Sequence, residues 1–504
     1  MYFLERNCRT AVKVLLVFVA VISAVMLASA LSGYVYADDA SSVQPAEVIR
    51  VAHSQGQRGI QKALDRARDN ASADHPYEVV VEAGTYRLNG ALHIYSNTKL
   101  TSEPDVLFKE KKRDNLLKVG TPGIDSQAHG FYYQNITING GSWDRCRLHN
   151  STGIKIAHAK NVTLENAELC NAENSHLVET AGVDGLTIRN CRFHDSDRTV
   201  SGNAGFECVQ IDVLAKQHFS GYEALDSEID YVSKNITIEN CSFDHIVRTV
   251  GSHTAVLGRP FQNVVFKNNT VTNCDDAGFY MRNVQGLQVS GNHIRCKDNG
   301  IAIFNMVYTL NGYFLPRRGS RAYSAYAEEV NGVIENNTIE SSKGNGIYLL
   351  GRRITRVSKG DSGEAVPKGN YYIGNIKVKN NTIKTRTDRM TPILVTDGRN
   401  ISISSNKITG LGKNSSAIYI TDGSSGIRVD KNRLAARCYA GICTRNRIKT
   451  SANIVTSVKG NYLDVKGGKF GIRVSSGKVS GCSGNTILHA KKKFGVDKGS
   501  TLKA

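Results

Sequence analysis

Four short segments of this 504-residue sequence place acid–base side chains inside otherwise apolar strand patterns. The segments cover residues 174–179, 205–212, 251–258 and 278–282, and their candidate residues are Asn174, His176, Glu179, Glu207, Asp212, His253, Tyr280 and Arg282. A carboxylic acid can protonate a leaving oxygen while a second carboxylate activates water. The segments therefore predict a hydrolytic site, in which Glu207 is the catalytic acid and His253 is its close neighbour.

The alternation of side chains along a strand indicates which candidates share a surface. Asp212 has the parity of Gln210 and Cys208, which point outward if Val209 and Ile211 point inward. Asp212 is therefore a further catalytic candidate on the same surface as the site.

The remaining candidates are predicted to bind substrate. Glu179 has outward parity, whereas His176 shares the parity of Val178, which favours a structural role for His176. Two alternatives stay open for the catalytic pair: His253 as a hydrogen-bonded structural histidine, and Glu207 as a solvated turn residue.

Internal repetition predicts the elements that position these residues. An apolar-x-apolar unit, followed by a small or polar residue and then another apolar residue, recurs along most of the chain. The small or polar position is asparagine in eight repeats: Asn269, Asn292, Asn337, Asn381, Asn406, Asn432, Asn461 and Asn485. Period-two alternation predicts strands, and stacked coils of strands bury one face of each strand. An inward asparagine in every coil can pair with its neighbours, so we predict a buried asparagine ladder.

A second strand is predicted in each coil, and three long insertions follow it at 214–233, 305–330 and 351–373. Loops that leave the same edge of stacked coils lie beside one another, so they should form one wall of a groove. Arg317, Arg318 and Arg321 in the middle insertion are predicted to bind glycan, because arginine forks suit carboxylates. A self-packed surface loop is the alternative.

The two ends of the chain have different compositions from the repeats. Residues 1–37 are predicted to be an export signal, with cleavage before Asp38, and an uncleaved membrane anchor is the alternative. Residues 38–90 are predicted to form a cap region with a helix over 59–71. Residues 91–490 are then the repeat region and 491–504 a tail, in a secreted protein.

Composition points to a negatively charged partner. The formal net charge is +19, which favours an acidic glycan over nucleic acid, although basic residues spread over the chain could serve solubility alone. Ten of the eleven cysteines follow the signal, without a CxxC pair, so buried thiols and one or two disulfides are expected. No metal or cofactor motif occurs. Calcium would fit only a lyase, and Asp275, Asp276 and Asp298 are a weak candidate for a cation site.

The opening helix, the strand after it and Ala83-Gly84-Thr85-Tyr86 resemble pectate-lyase-like proteins. The repeats resemble the same superfamily over about residues 48–490. This resemblance implies an all-β fold, a single-domain right-handed parallel β-helix with an N-terminal capping helix.

The four polar segments are similar to motifs of the polygalacturonase family of glycoside hydrolases. Glu207 matches a motif acid before a shared Cys208, His253 matches the motif histidine, and Arg282 matches a substrate-binding lysine. Asn174 matches the first motif's asparagine.

Three positions depart from the family pattern, because His176 and Phe206 replace acids and Tyr280 replaces an arginine. The resemblance therefore implies the place of the site, and the two-carboxylate mechanism does not transfer whole. The predicted function is a glycoside hydrolase acting on an acidic or cell-surface polysaccharide. A polysaccharide lyase or uronan epimerase, and a non-catalytic glycan-binding or adhesion protein, are the alternatives.

Overall fold

The computed structural model is a solenoid whose coils run through three sides. It describes residues 47–121, 130–149, 151–199, 206–214, 231–252, 260–305, 329–354, 358–359, 365–366, 369–386, 388, 390–410, 412–447 and 452–503, with the backbone alone between 352 and 370. The predicted export signal, His253, Arg317, Arg318 and Arg321 lie outside these residues. Within the described ranges, no helix is long and apolar enough to cross a membrane.

A short helical segment packs against the first strands of the solenoid, as predicted for a cap. A 3-10 turn at His53–Gln55 leads into the helix Gly56–Asn70, which contacts the strands Tyr77–Val81 and Leu92–Ile94. Its buried residues are the four that the helical spacing predicts: Ile60, Ala63, Leu64 and Ala67. The sheet begins earlier than expected, because Glu47–Val51 pairs with Tyr77–Val81.

Parallel strands form the three sides of the solenoid. The first side comprises Glu47–Val51, Tyr77–Val81, Thr98–Ser102, Tyr133–Asn139, the second halves of Ile154–Glu165 and Val178–Arg189, Lys234–Glu239, Phe261–Lys267, Val284–Ser290, Glu329–Glu335, Ile373–Lys379, Gly398–Ser404, Ser425–Asp430, Asn453–Lys459, Gly477–Val479, Cys482–Ser483 and Thr501–Leu502. The second side comprises Gly84–Leu88, Val106–Glu110, Ser142–Asp144, Glu168–Cys170, Arg192–His194, Ser242–Ile246, Thr270–Cys274, His293–Cys296, Thr338–Ser341, Thr382–Thr385, Lys407–Thr409, Arg433–Ala435, Tyr462–Asp464 and Thr486–Leu488. The third side comprises Leu92–Ile94, Leu117–Val119, the first halves of Ile154–Glu165 and Val178–Arg189, Glu207–Leu214, Arg248–Gly251, Phe279–Arg282, Ile301–Phe304, Ile347–Leu350, Ile393–Thr396, Ser416–Thr421, Ala440–Thr444, Phe470–Val474 and Lys492–Val496.

The solenoid extends past the predicted boundary at residue 490. Lys492–Val496 pairs with Phe470–Val474, and Thr501–Leu502 pairs with Gly477–Val479. The prediction of a tail over 491–504 is therefore wrong, because these residues continue the third and first sides.

The insertions after third-side strands are described only in part. Val213–Leu214 pairs antiparallel with Tyr231–Val232, and in the third insertion Arg352–Ile354 pairs antiparallel with Gly369–Tyr371. Ser358–Lys359 and Ala365–Val366 form a further antiparallel pair. The predicted groove wall of aromatic and basic side chains lies mostly outside the described residues.

The cysteines do not form the predicted disulfides. All ten cysteines after residue 46 are free, and nine of them are buried. Burial raises the pKa of the Cys208 and Cys296 thiols well above the usual value, because a thiolate would lose its solvation. These thiols serve as small apolar side chains of the core.

The asparagine ladder is confirmed. From Asn269 to Asn461, each side-chain amide donates to the Oδ1 of the asparagine in the next coil, at 2.9–3.1 Å. The backbone N–H of each ladder asparagine donates to the same Oδ1, as from Asn381 to Asn406 at 3.0 Å. Each amide also donates to a backbone carbonyl, such as that of Val378 for Asn406 at 2.9 Å. Every side-chain polar atom of the column from Asn269 to Asn461 is therefore satisfied inside the core.

Removing one rung of the ladder should destabilise the fold. We expect Asn406→Ala to lower the free energy of unfolding by about 1–3 kcal/mol, because it leaves buried donors of Asn381 without an acceptor. Chemical denaturation measures the change, and Asn414→Ala, at an exposed turn, is the matched control. Equal midpoints for the two variants would contradict a structural ladder.

Candidate functional site

The described parts of the polar segments lie on the third side or directly before its strands. Val178 pairs with Val209, and Val209 pairs with Val250, so the strands of three successive coils lie in register. These valines are buried in the core, and the residues that follow Val178 and Val209, which are Glu179 and Gln210, face outward. Glu179 pairs with Gln210 and lies beside it on this outer surface.

Glu207 is the first residue of its strand, but its side chain is 0% exposed. Its Oε1 accepts a hydrogen bond from Arg248 Nη1 at 2.5 Å, and His176 Nδ1 lies 3.6 Å from its Oε2. Gly251 leaves the space for this carboxylate, since a Cβ there would lie 2.6 Å from Glu207 Cγ. Glu207 is thus neither a solvated turn residue nor in a position that favours proton donation, because an acid catalyst must carry a proton and reach the substrate.

This environment yields a prediction that separates two roles for Glu207. A proton donor would lose roughly 10²–10⁴-fold in turnover on Glu207→Gln. From its burial against Arg248, we expect turnover to stay within about tenfold while unfolding becomes easier by about 1–3 kcal/mol. Turnover per folded molecule, with the folded fraction measured by circular dichroism, decides between them.

Asp212 has the outward parity that the sequence predicts, yet its side chain is also 0% exposed. The Gln210 side-chain amide donates to its carboxylate, and Ser233 Oγ donates to its backbone carbonyl at 2.9 Å. Cys208 does not share the outward set, because it belongs to the buried core. Asp212 therefore lies beneath the surface that it was predicted to line.

Asn174 and His176 make local structural contacts. Asn174 has a left-handed φ of 50° and exchanges two hydrogen bonds with Thr199, at 2.6 and 2.9 Å. The buried His176 contacts the backbone carbonyl of Glu207 through Nδ1 at 2.9 Å. Glu179 is more accessible, and it accepts a hydrogen bond from Thr152 at 2.8 Å. Of these three substrate-binding candidates, only Glu179 is open to a ligand from the outer surface.

Tyr280 and Arg282 are on the outward face of the strand Phe279–Arg282, but Tyr280 is buried, with 8% of its surface exposed. Tyr280 begins a row of aromatic rings. Arg282 Nε donates to the Tyr280 hydroxyl at 2.8 Å. The Tyr280 ring meets Phe304 edge-on at 5.0 Å between centroids, and Phe304 meets Tyr348 in the same way at 5.3 Å. The row follows the solenoid axis across three coils. Aromatic faces in such a row suit the apolar faces of sugar rings.

Arg248 links the buried and exposed parts of the site, and sequence analysis missed it. Its guanidinium lies 4.4 Å from the Tyr280 ring centroid, and its Nε donates to Asp276 Oδ2 at 3.0 Å. Burial lowers the pKa of Arg248, but the charges of Glu207 and Asp276 outweigh that effect and raise it above the usual value. Arg248 is therefore a fixed positive charge between two carboxylates.

Asp276 and Asp298 form the accessible acidic pair of the site. They occupy equivalent positions in adjacent coils, because Cys274 pairs with Cys296 and the Asp298 N–H donates to the Asp276 carbonyl at 3.3 Å. Burial and the neighbouring Asp276 carboxylate raise the pKa of Asp298, and Arg248 offsets only part of this. In the sequence, Asp276 and Asp298 each stand two residues after a cysteine, Cys274 or Cys296. This equal spacing could have identified the two aspartates as a pair.

The same residues fit a cation poorly. In the described part of the chain, no group of three or more His, Cys, Asp or Glu side chains has the arrangement of a metal site. Arg248 occupies the Asp276 carboxylate, and Asp275 pairs with Lys297 instead of turning toward Asp298. The positively charged guanidinium of Arg248, which is bound to the Asp276 carboxylate, opposes the binding of a cation there.

Comparison with known proteins identifies the fold family. The family model described as "Right handed beta helix region" matches residues 228–310 and 318–502, more than half of the sequence. The chain belongs to this family. No curated protein sequence matches it significantly.

Solved structures with the same fold cover most of the chain. The PfbA surface adhesin of Streptococcus pneumoniae is 16% identical, with a TM-score of 0.46 over 85% of this chain and 88% of that chain. The A-module of the Azotobacter vinelandii mannuronan C-5 epimerase AlgE6 is 13% identical, with a TM-score of 0.45 over 85% and 94%. A mutant tailspike protein of E. coli bacteriophage HK620, in complex with a pentasaccharide, is 13% identical, with a TM-score of 0.50 over 86% and 74%. At these identities the similarity shows the fold alone.

Proposed function

We propose that this chain is an exported glycoside hydrolase that binds a polysaccharide along the outer surface of the third side, with Asp298 as the proton donor. The observation that carries the proposal is that Arg248 connects the Asp276–Asp298 pair to the aromatic row, because it donates to Asp276 and lies over the Tyr280 ring. A pair of carboxyl groups is what hydrolysis of a glycosidic bond requires, and aromatic faces beside it suit sugar rings. The HK620 tailspike, which has the same fold, binds a pentasaccharide.

Each residue of the site has a distinct part in the proposed reaction. Phe304 and Tyr348 stack on sugar rings, and Arg282 holds a carboxylate or hydroxyl of the substrate. Asp298 keeps its proton to a higher pH than an ordinary aspartate and donates it to the leaving oxygen. Asp276, which forms an ion pair with Arg248, accepts a proton from the attacking water.

Two other functions have a specific observation in their favour. Arg248 engages both Glu207 and Asp276, which suits a protein that binds glycan without cleaving it. The Arg282–Tyr280 pair, joined at 2.8 Å, offers a base and an acid for the β-elimination of a lyase. The hydrolase is preferred because Asp298 provides a carboxyl group whose pKa is raised by burial and by the neighbouring Asp276.

One panel experiment separates the three functions. The protein is incubated with uronate-containing and neutral polysaccharides, and new reducing ends are measured beside the absorbance of unsaturated uronates. Hydrolysis gives reducing ends alone, and a lyase gives both signals. Retention on an immobilised polysaccharide without either signal would establish binding alone and overturn the proposed activity.

A further inference from the structure

The positive charge of the protein is concentrated in its C-terminal coils. Residues 398–504 contain 20 Lys and Arg, four Asp and no Glu, whereas the chain as a whole has 64 basic and 45 acidic residues. Basic residues occur along the whole sequence, but acidic residues are scarce after residue 397, so the excess of positive charge is uneven. Most of the excess charge lies away from the site at Asp276 and Asp298.

Upstream coils neutralise the cations on the corner between the first and second sides. The last position of the first-side strands alternates acid and base, and Glu165–Arg189, Glu239–Lys267 and Glu335–Lys379 form ion pairs of 2.7, 2.8 and 2.9 Å. The same column continues through Ser404 and Asp430 to Lys459. The pairing of opposite charges thus stops where the C-terminal coils begin.

Among the described residues of this corner, five exposed cations form no ion pair. They form what we call the cationic corner: Lys407, Arg428, Lys431, Arg433 and Lys459. Lys407 pairs in register with Arg433, and Arg433 pairs with Tyr462, so the charges follow the axis at the coil spacing of about 4.8 Å. Asp430, the acid among them, is already bound by Ser457 Oγ at 2.9 Å and the Lys459 N–H at 3.0 Å.

Two further features indicate a binding surface. Lys431 has a left-handed φ of 58°, a conformation that the equivalent corner residues Asn336 and Asn380 adopt more easily. A groove of about 550 Å³ on the first side adjoins the cationic corner. Arg428 lines the groove and is also part of the cationic corner. Local folding does not favour a lysine at this backbone conformation, so the presence of Lys431 beside the groove points to a role in binding.

We propose that the cationic corner and its groove form a second binding surface, for a carboxylated polysaccharide, on the opposite part of the coil from the third side. Successive cations one coil apart match a chain that carries one carboxylate on each sugar ring. The Tyr462 ring, 5.0 Å from the Arg433 guanidinium, adds a face on which a sugar can stack. Duplex nucleic acid, whose phosphates on each strand advance about 3.4 Å along the helix axis per nucleotide, does not keep this register.

This inference rests on the proposed polysaccharide partner but not on its hydrolysis. A bound polymer would hold the protein on its substrate while the third side acts on another segment. Linking two sites in this way raises the effective concentration of substrate at the second.

The test compares two triple variants by retention on immobilised polygalacturonate at low salt. We expect Lys407→Gln, Arg428→Gln and Arg433→Gln together to weaken binding on the order of tenfold, since fewer counterions are released. The matched control, Arg189→Gln, Lys267→Gln and Lys379→Gln, removes the same charge from ion-paired positions and should bind within about twofold of the unchanged protein.

Equal losses in the two triples would show attraction by net charge only and overturn the proposal. Tighter binding of polyphosphate or duplex DNA, with the same dependence on Arg428 and Arg433, would overturn the assignment to a polysaccharide. Retention without release of reducing ends would refute the proposed hydrolysis and leave the cationic corner standing.

Discussion

Replacing Asp298 by Asn should reduce turnover by roughly 10²–10⁴-fold while polysaccharide binding persists. Asn keeps the size of the side chain and its hydrogen bonding but cannot donate an acidic proton. The pH profile gives an independent reading. Asp298 acts only when protonated, and its pKa is raised, so activity should fall as the pH rises through that value. The residual activity of Asp298→Asn should lack this decline.

Asp275→Asn is the matched control, because it removes an exposed carboxylate one residue from Asp276 that pairs with Lys297. We expect it to retain turnover and the full pH profile. Both variants are compared per folded molecule, with initial rates of reducing-end release on a cleaved polysaccharide. Near-full turnover of Asp298→Asn would show that Asp298 is not the proton donor. Glu179, which is partly exposed, would then be the next candidate.

Replacing Arg145 by Ala should destabilise the N-terminal coils by about 3–5 kcal/mol, because it leaves a buried carboxylate without its counter-charge. Arg145 is fully buried, and its guanidinium donates to Glu110 at 2.6 Å, to Ser151 at 2.7 Å and to the Leu148 carbonyl at 2.6 Å. Denaturant titration measures the loss. Arg50→Ala breaks an exposed pair with Glu103 and should cost at most about 1 kcal/mol.

The loss on Arg145→Ala should also depend on pH. Burial raises the pKa of Glu110, and Arg145 offsets only part of that rise. Without Arg145 the folded state binds the Glu110 proton more tightly than the unfolded chain does. The loss should therefore be smallest in acid and grow as the pH rises above the ordinary pKa of a glutamate. A loss that is independent of pH would mean that the neutral contacts of Arg145 outweigh its charge.

The regular parts of this fold could be predicted from sequence because each coil repeats the same local physics. Apolar alternation locates the strands, and the inward asparagines appear at a constant place after them. The buried face of the helix, which includes Ile60 and Leu64, could be predicted because its apolar residues also recur at a regular spacing. The boundary at residue 490 failed because Lys492–Val496 exposes most of its residues, so its sequence lacks the apolar alternation of an ordinary coil.

The site was harder to predict, because its central residues lie at the corner between the second and third sides. Parity holds within a strand, but Cys208 and Val209 both belong to the core where the chain turns this corner. Glu207 therefore could not be placed above or below the surface from its position alone. Arg248, which forms ion pairs with Glu207 and Asp276, is separated from Glu207 by an insertion, and no local pattern links the two.

The asparagine column also makes the solenoid mechanically directional. Each rung directs two donors toward the C-terminus, as when the Asn269 backbone N–H and amide both donate to Asn292 Oδ1, and one amide N–H toward the preceding coil. Detaching a coil from the C-terminal side leaves two donors without an acceptor in the coil before it, whereas detaching one from the N-terminal side leaves one donor and one acceptor unpaired. Buried donors without acceptors are the costlier of the two. Under a pulling force the column should therefore resist detachment from its C-terminal side more strongly than detachment from its N-terminal side.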